Sequence, residues 1–203
     1  MRKSIFLFSM VLGIGMAAAW AQSSELGVVV GAKFTPSVGS TTSPSGKTNF
    51  DTSLAFEVSY AARLAGTQGL ALQLEVPFTA VPNTGLKTSN LFASKSYSSY
   101  YLTPGLRLKL APSSPLSPWI AAGAGFVHFN PSATNLGGGP SGVSSTTKSS
   151  YDVGAGIDFH TKKSPLLFRV QAREFYTGVP NLSIPKISIH NNVVVSGGVV
   201  FRF

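Results

Sequence analysis

Cysteine is absent from the 203 residues. Disulfides, thiolate metal ligands and thiol nucleophiles are therefore excluded. The compartment stays open on this count, because oxidising compartments permit disulfides without requiring them. Charge is scarce as well, at 11% of residues. A disordered chain would be charge-rich and poor in apolar residues, whereas 43% of this one is hydrophobic. Acidic residues are the rarest charged class, 7 against 16 Lys and Arg, which gives a formal net charge of +9. The basic residues are scattered, and no helix or compact cluster presents them as a stripe. That argues against nucleic acid and leaves an anionic surface as the candidate contact. Beyond the N-terminus no apolar run approaches the ~20 residues of a membrane-spanning helix. The hydrophobicity is spread over many short segments of what is long enough to be one domain.

The N-terminus has its own pattern. Met1-Arg2-Lys3 is a positive start, Ile5 to Trp20 is almost wholly apolar, and Ala19-Trp20-Ala21 sets small residues at both recognition positions of a cleavage site. This is the three-part layout of a secretory signal peptide. Residues 1–21 are read as that peptide and 22–203 as the mature domain. No cysteine follows the cleavage site, so a lipoprotein anchor is excluded. Loss of Arg2 and Lys3 lowers the formal charge to +7.

From Glu25 onward the dominant pattern has period 2, the signature of half-buried strands. Leu26, Val28, Val30, Ala32 and Phe34 share one face, with Val29 and Lys33 on the other. Leu54 to Ala62, Leu70 to Phe78 and Tyr100 to Leu110 repeat the alternation. So do Tyr151 to Phe159, Leu166 to Arg173, and Asn192 to Phe203. The segment Trp119 to Phe129 is rich in Gly and Ala; its apolar face is read as Trp119, Ala121, Val127 and Phe129. These are eight segments of about ten residues, and ten residues at ~45° tilt rise roughly 23 Å, near the apolar band of a transmembrane barrel.

The connections alternate in length. Residues 65–69, 111–118 and 161–165 are short; residues 35–49, 81–96, 130–148 and 177–190 are long and rich in turn-forming residues. Short and long connections then fall at opposite ends. With eight strands, both mature termini lie at the short-turn end, expected to be periplasmic. The expected fold is all-β: an eight-stranded antiparallel up-and-down transmembrane β-barrel following a cleaved signal peptide.

The two faces decide between a soluble and a membrane barrel. The large apolar residues alternate with Gly, Ala, Ser and a few long polar side chains, which suit a narrow interior. The apolar face suits lipid, and closure satisfies every backbone polar group. Tyr60, Phe78, Tyr100, Trp119, Phe129, Tyr151 and Phe159 lie near strand ends, as interfacial aromatics do. The inward face carries Glu57, Gln73, Glu75, Arg107, Asp152, Asp158, Arg169, Gln171 and Arg173. Strand adjacency puts Asp152 near Arg173, Asp158 near Arg169, and Glu75 level with Arg107, with Glu57 one strand over. A luminal salt-bridge network is expected, because isolated buried charges are very costly. It would plug the barrel.

The alternation, together with the closing segment Asn192-Val193-Val194-Val195-Ser196-Gly197-Gly198-Val199-Val200-Phe201-Arg202-Phe203, resembles the small outer-membrane β-barrel superfamily of OmpA/OmpX type. Arg169-Val170-Gln171-Ala172-Arg173-Glu174-Phe175-Tyr176 resembles the penultimate strand of that superfamily. The resemblance implies an outer-membrane location in a Gram-negative-type bacterium. It also implies that Phe201 and terminal Phe203 form the signal read by the barrel-assembly machinery. Outer-membrane lipid is the implied surrounding, with lipopolysaccharide a candidate partner for Lys47, Lys87, Lys95 and Lys148 in or beside the long connections.

Chemistry is thinly represented. His128, His160 and His190 form no metal-ligand spacing, and no cofactor is implied. Some small barrels resemble serine hydrolases with a His-x-Ser pair, but His128 precedes Phe129-Asn130, and Ser188-Ile189-His190 reverses the order. The Gly137-Gly138-Gly139-Pro140 stretch lacks the Lys-Ser/Thr ending of a phosphate loop. The expectation is a non-enzymatic barrel that supports the envelope or contacts surface ligands. A narrow channel or small-molecule transporter is the alternative, and a lipid-modifying enzyme is the second.

Overall fold

The computed structural model describes residues 24–36, 38–39, 47–87, 92, 94–140, 142–161, 164–178 and 190–203. The expected signal peptide and the Ser188-Ile189 pair lie outside them. Among the described residues eleven strands appear in chain order: β1 (Ser24–Phe34), β2 (Val38–Gly39), β3 (Lys47–Phe50), β4 (Ser53–Gly66), β5 (Leu70–Lys87) and β6 (Ser96–Leu102). They continue as β7 (Gly105–Leu110), β8 (Leu116–Pro131), β9 (Thr146–His160), β10 (Leu166–Thr177) and β11 (His190–Arg202).

The wall is a closed antiparallel ring of eight positions. The order runs β5-β4-β1-β11-β10-β9-β8, and β6 and β7 together fill the place between β8 and β5. Thr103-Pro104 separates those two strands without changing which residues face inward. Pro104 has no N–H to give the ladder, but its carbonyl accepts from the Ala124 N–H at 3.1 Å. The first and last strands close the ring, with Leu26 opposite Phe201 and Lys33 opposite Val194. The Phe203 N–H donates to the Ser24 carbonyl at 3.0 Å, and the Ser24 N–H donates back at 2.8 Å. Where no water reaches, only such closure leaves no unpaired edge.

Outward alternation is strict along most strands. Val28, Leu54, Phe56, Leu106, Phe168 and Val170 are 45–56% exposed, while the residues on either side of them in sequence point inward. In β8 the reading is corrected: Ile120 and Phe126 face outward, whereas Trp119 (2% exposed), Val127 and Phe129 (both 0%) face the lumen. The Gly/Ala run offers no size contrast between its faces, so hydrophobicity alone misassigned it. The indole N–H also favours the inside, because buried Trp needs a hydrogen-bond partner and lipid offers none at that depth.

The strands continue above the apolar band. β5 runs to Lys87, beyond the expected start of a loop at Val81, and β3 pairs with it through Asn49 and Phe50. The narrow bore needs glycine at a few points. A Cβ on Gly125 would strike the Leu102 carbonyl, and one on Gly31 would strike β11 backbone.

Candidate functional site: the charged lumen

Each inward side chain arrives through the strand pleat, and the ring brings together residues far apart in sequence. Near the short-turn end, Glu25 accepts from Lys109 at 2.7 Å, Arg202 at 3.3 Å, Arg169 at 3.4 Å and Arg107 at 3.5 Å. Asp158 receives the Arg169 fork at 2.7 and 2.8 Å, Lys109 at 2.6 Å and the Trp119 indole N–H at 3.2 Å. The next layer centres on Arg173. It reaches Glu75 at 2.5 Å, Asp152 at 2.7 Å and Glu57 at 3.3 Å. Arg107 donates to Glu75 through Nε at 3.1 Å and also through Nη2. Gln171 and Thr79 donate to Glu57 at 2.9 and 3.2 Å, and Gln73 is buried in the same interior.

Five carboxylates face five cations in this network: Glu25, Glu57, Glu75, Asp152 and Asp158 against Arg107, Lys109, Arg169, Arg173 and the rim residue Arg202. Trp119 lies among them, with guanidinium carbons of Arg107, Arg169 and Arg173 at 4.4, 5.1 and 5.5 Å from its ring. A cation over an aromatic face is attracted by the ring quadrupole, so the indole adds attraction for three guanidiniums that repel one another. The structure thus sets Asp152 beside Arg173, Asp158 beside Arg169 and Glu75 beside Arg107. Glu25 and Lys109 were not picked out as network members in the sequence. Their shared parity with Val29 and Arg107 is the signal that marks them.

Toward the long loops the filling changes. Tyr97, Tyr101, Phe129, Phe175, Val81, Val127 and Leu86 pack into one buried cluster. Tyr101 and Phe175 have ring centroids 4.5 Å apart, and Tyr97 and Phe129 5.9 Å. Lys33 stands among them at 0% exposure. Its Nζ donates to the Tyr97 hydroxyl at 3.1 Å and lies 4.8 Å from that ring's centroid. Among the described residues no carboxylate pairs with it.

Outside the barrel, Tyr60, Phe78, Tyr100, Tyr151 and Phe159 face outward. Phe159 stands opposite Phe168 near the short turns, and Tyr151 opposite Tyr176 near the long loops. Phe78 and Tyr100 stack at 6.4 Å, as do Phe201 and Phe203 at 6.0 Å. Trp119 and Phe129 leave the interfacial set, since both are luminal.

One serine–histidine pair does form. Ser117 Oγ meets His160 Nε2 at 3.0 Å, but the hydroxyl also donates to the Ala111 carbonyl at 2.7 Å. Ala111 has φ 46°, a left-handed conformation uncommon for a residue with a Cβ. Ser117 is fully buried, and its proton is committed to holding this turn. A nucleophile needs a base that takes its proton, so the pair is built as a clamp. His128 bonds Thr147 at 3.0 Å near the other end. Among the described residues no His, Asp or Glu group has the arrangement of a metal site.

With this geometry in place, comparison identifies the architecture. The model of the outer membrane protein beta-barrel domain matches residues 6–193. The chain belongs to that family. It is therefore an outer-membrane β-barrel protein. No curated protein matches it in sequence. Neisserial surface protein A is 16% identical, with a TM-score of 0.59 over 90% of this chain and 97% of its own. Ail, the attachment invasion locus protein of Yersinia pestis, in complex with the heparin analogue sucrose octasulfate, is 16% identical with a TM-score of 0.50, over 90% of this chain and 99% of its own. The outer membrane enzyme PagL is 17% identical with a TM-score of 0.41, over 90% and 99%. One barrel fold hosts many activities, so the likeness to Neisserial surface protein A and to Ail gives the architecture and no reaction.

Proposed function

We propose that this barrel is a structural and surface-interaction protein of the outer membrane. Its lumen is sealed, its termini are periplasmic, and its long connections face outward. The observation that carries the reading is the filling of the bore: Arg107, Lys109, Asp158, Tyr101 and Phe129 are all at 0–1% exposure or fully buried within it. An ion path would need hydrated charges, and these are consumed by one another. Planar-bilayer recording of the refolded protein should give no steady conductance steps. Regular single-channel steps would favour the transport alternative instead. The break at Thr103-Pro104 does not favour that alternative, because backbone bonds from Ala124 to Pro104 and from Thr103 to Pro77 (3.5 Å) tie it to both neighbouring strands.

The interaction half of the proposal rests on charge distribution. Five of the seven acidic residues are spent inside the lumen. The long-loop end therefore carries Lys47, Lys87, Lys95 and Lys148, with Asp51 paired to Lys87 at 2.7 Å. That excess suits anionic glycans or the phosphates of lipopolysaccharide, and the heparin analogue bound by Ail is of the same chemistry. Binding of lipopolysaccharide to vesicle-inserted protein should weaken as salt rises and on joint replacement of Lys87, Lys95 and Lys148 by Gln. Deletion of Phe203 tests the assembly role: heat-modifiable, inserted protein should fall in yield. A lipid A mass profile unchanged by expression is expected on this reading, and a new lipid A species would assign an enzyme.

A further inference from the structure

The acidic residues, followed one by one, leave a remainder. Five sit in the luminal ion pairs, and Asp51 pairs with Lys87. Glu174 is the seventh, and among the described residues no lysine or arginine pairs with it. It is half-buried on the outer wall, in phase on β10 with the outward residues Phe168 and Val170. It stands between Val153 of β9 and Val193 of β11. Its carboxylate accepts from Asn191 Nδ2 at 3.2 Å and from the Tyr176 hydroxyl. Eight residues above Leu166 is roughly 19 Å of height, inside an apolar band ~25 Å tall. An ionisable group facing lipid within that band marks a functional site until a partner is named.

The surroundings indicate the partner's shape. Glu174 heads a depression of about 340 Å³ floored by Gly154, Ala155 and Ala172. Through Val153 and Gly154 this meets a second one of about 450 Å³, which runs past Ala122, Ile120 and Leu106 to Leu72. The trough crosses from β10 to β5, four inter-strand spacings or roughly 19 Å. It is apolar along its length and anionic at its upper end, just below the Tyr151–Tyr176 pair.

We propose that this trough binds one acyl chain of a lipid whose head carries an ammonium group, with the ammonium seated on Glu174. An anionic head would be repelled by the carboxylate. A bare cation would use Glu174 and leave the apolar trough without a role. A hydrocarbon chain alone would leave the carboxylate uncompensated in lipid. Only an amphiphile with a cationic, hydrogen-bond-donating head meets both halves. Asn191 and Tyr176 orient the carboxylate toward it.

The test uses the full mature chain refolded into vesicles of equimolar, acyl-matched phosphatidylethanolamine and phosphatidylglycerol, extracted in mild detergent and weighed by native mass spectrometry. Wild type should retain one lipid, with phosphatidylethanolamine favoured roughly threefold, the size of a partly wet ion pair. Glu174→Gln should equalise the two heads while keeping a lipid. Ala172→Leu, which fills the trough and leaves the carboxylate, should reduce retention of both. Heat-modifiable gel mobility reports whether each variant is folded, and wild-type selectivity stands as evidence if one is not. Equal retention of the two heads by wild type, no retained lipid, or a preference that survives in folded Glu174→Gln would overturn the proposal.

Discussion

The two ends of the lumen solve the same packing problem by opposite means. Near the short turns the bore is filled with ions, and near the long loops with rings. In the lower part every buried cation has a carboxylate, and Arg173 alone serves three. In the upper part the buried cation Lys33 has a phenol and a ring face. The difference teaches that burial by itself does not say what a charge contributes. Desolvation is severe in both places. In the lower network mutual attraction offsets it, so loss of one member strands the others. Lys33 has no ionic partner to strand among the described residues.

Substitutions can break or sharpen this contrast, with stability read by urea unfolding of the vesicle-inserted barrel. The largest effect is expected for Arg173→Met, which leaves Glu57, Glu75 and Asp152 without their shared cation and should destabilise by about 3–5 kcal/mol. A loss below about 1 kcal/mol would mean that water or neighbouring arginines already compensate them. Trp119→Phe keeps a ring among the guanidiniums but removes the N–H to Asp158. A loss of about 1–2 kcal/mol is expected from the hydrogen bond and the weaker cation–π contact. Lys33→Met should change stability by less than about 1 kcal/mol and can raise it, since an apolar chain replaces a poorly compensated ion. A loss as large as that of Arg173→Met would erase the distinction between the two ends. Asp51→Asn, which breaks an exposed pair with Lys87, marks the floor of the scale at less than about 0.5 kcal/mol.

Much of the luminal network was legible because parity and adjacency are local properties. Once Arg173 and Asp152 fall on inward positions of neighbouring strands, their meeting follows from strand spacing. Glu25 was hidden for a different reason. Its partners Lys109 and Arg169 come from β7 and β10, so its place emerges only when the ring closes and β7 faces β1 across the bore. The reversed facing of β8 has a third cause: Ala121 to Gly125 carries no contrast, and the polar tip of Trp119 outweighs its apolar body. The clamp between Ser117 and His160 joins residues 43 apart through a turn conformation at Ala111 that no local pattern announces.

The amino-acid order alone determined the number of wall positions, the alternation of short and long connections, and an outer surface fit for lipid. These follow from a two-residue side-chain period and from turn chemistry, both of which act over a few neighbours. Tertiary structure decided which distant charges share a partner, where Trp119 points, and that Glu174 is left on the outer wall with no lysine or arginine paired to it among the described residues. Those outcomes depend on distances across and around a closed cylinder, which exist only after its first and last strands have joined.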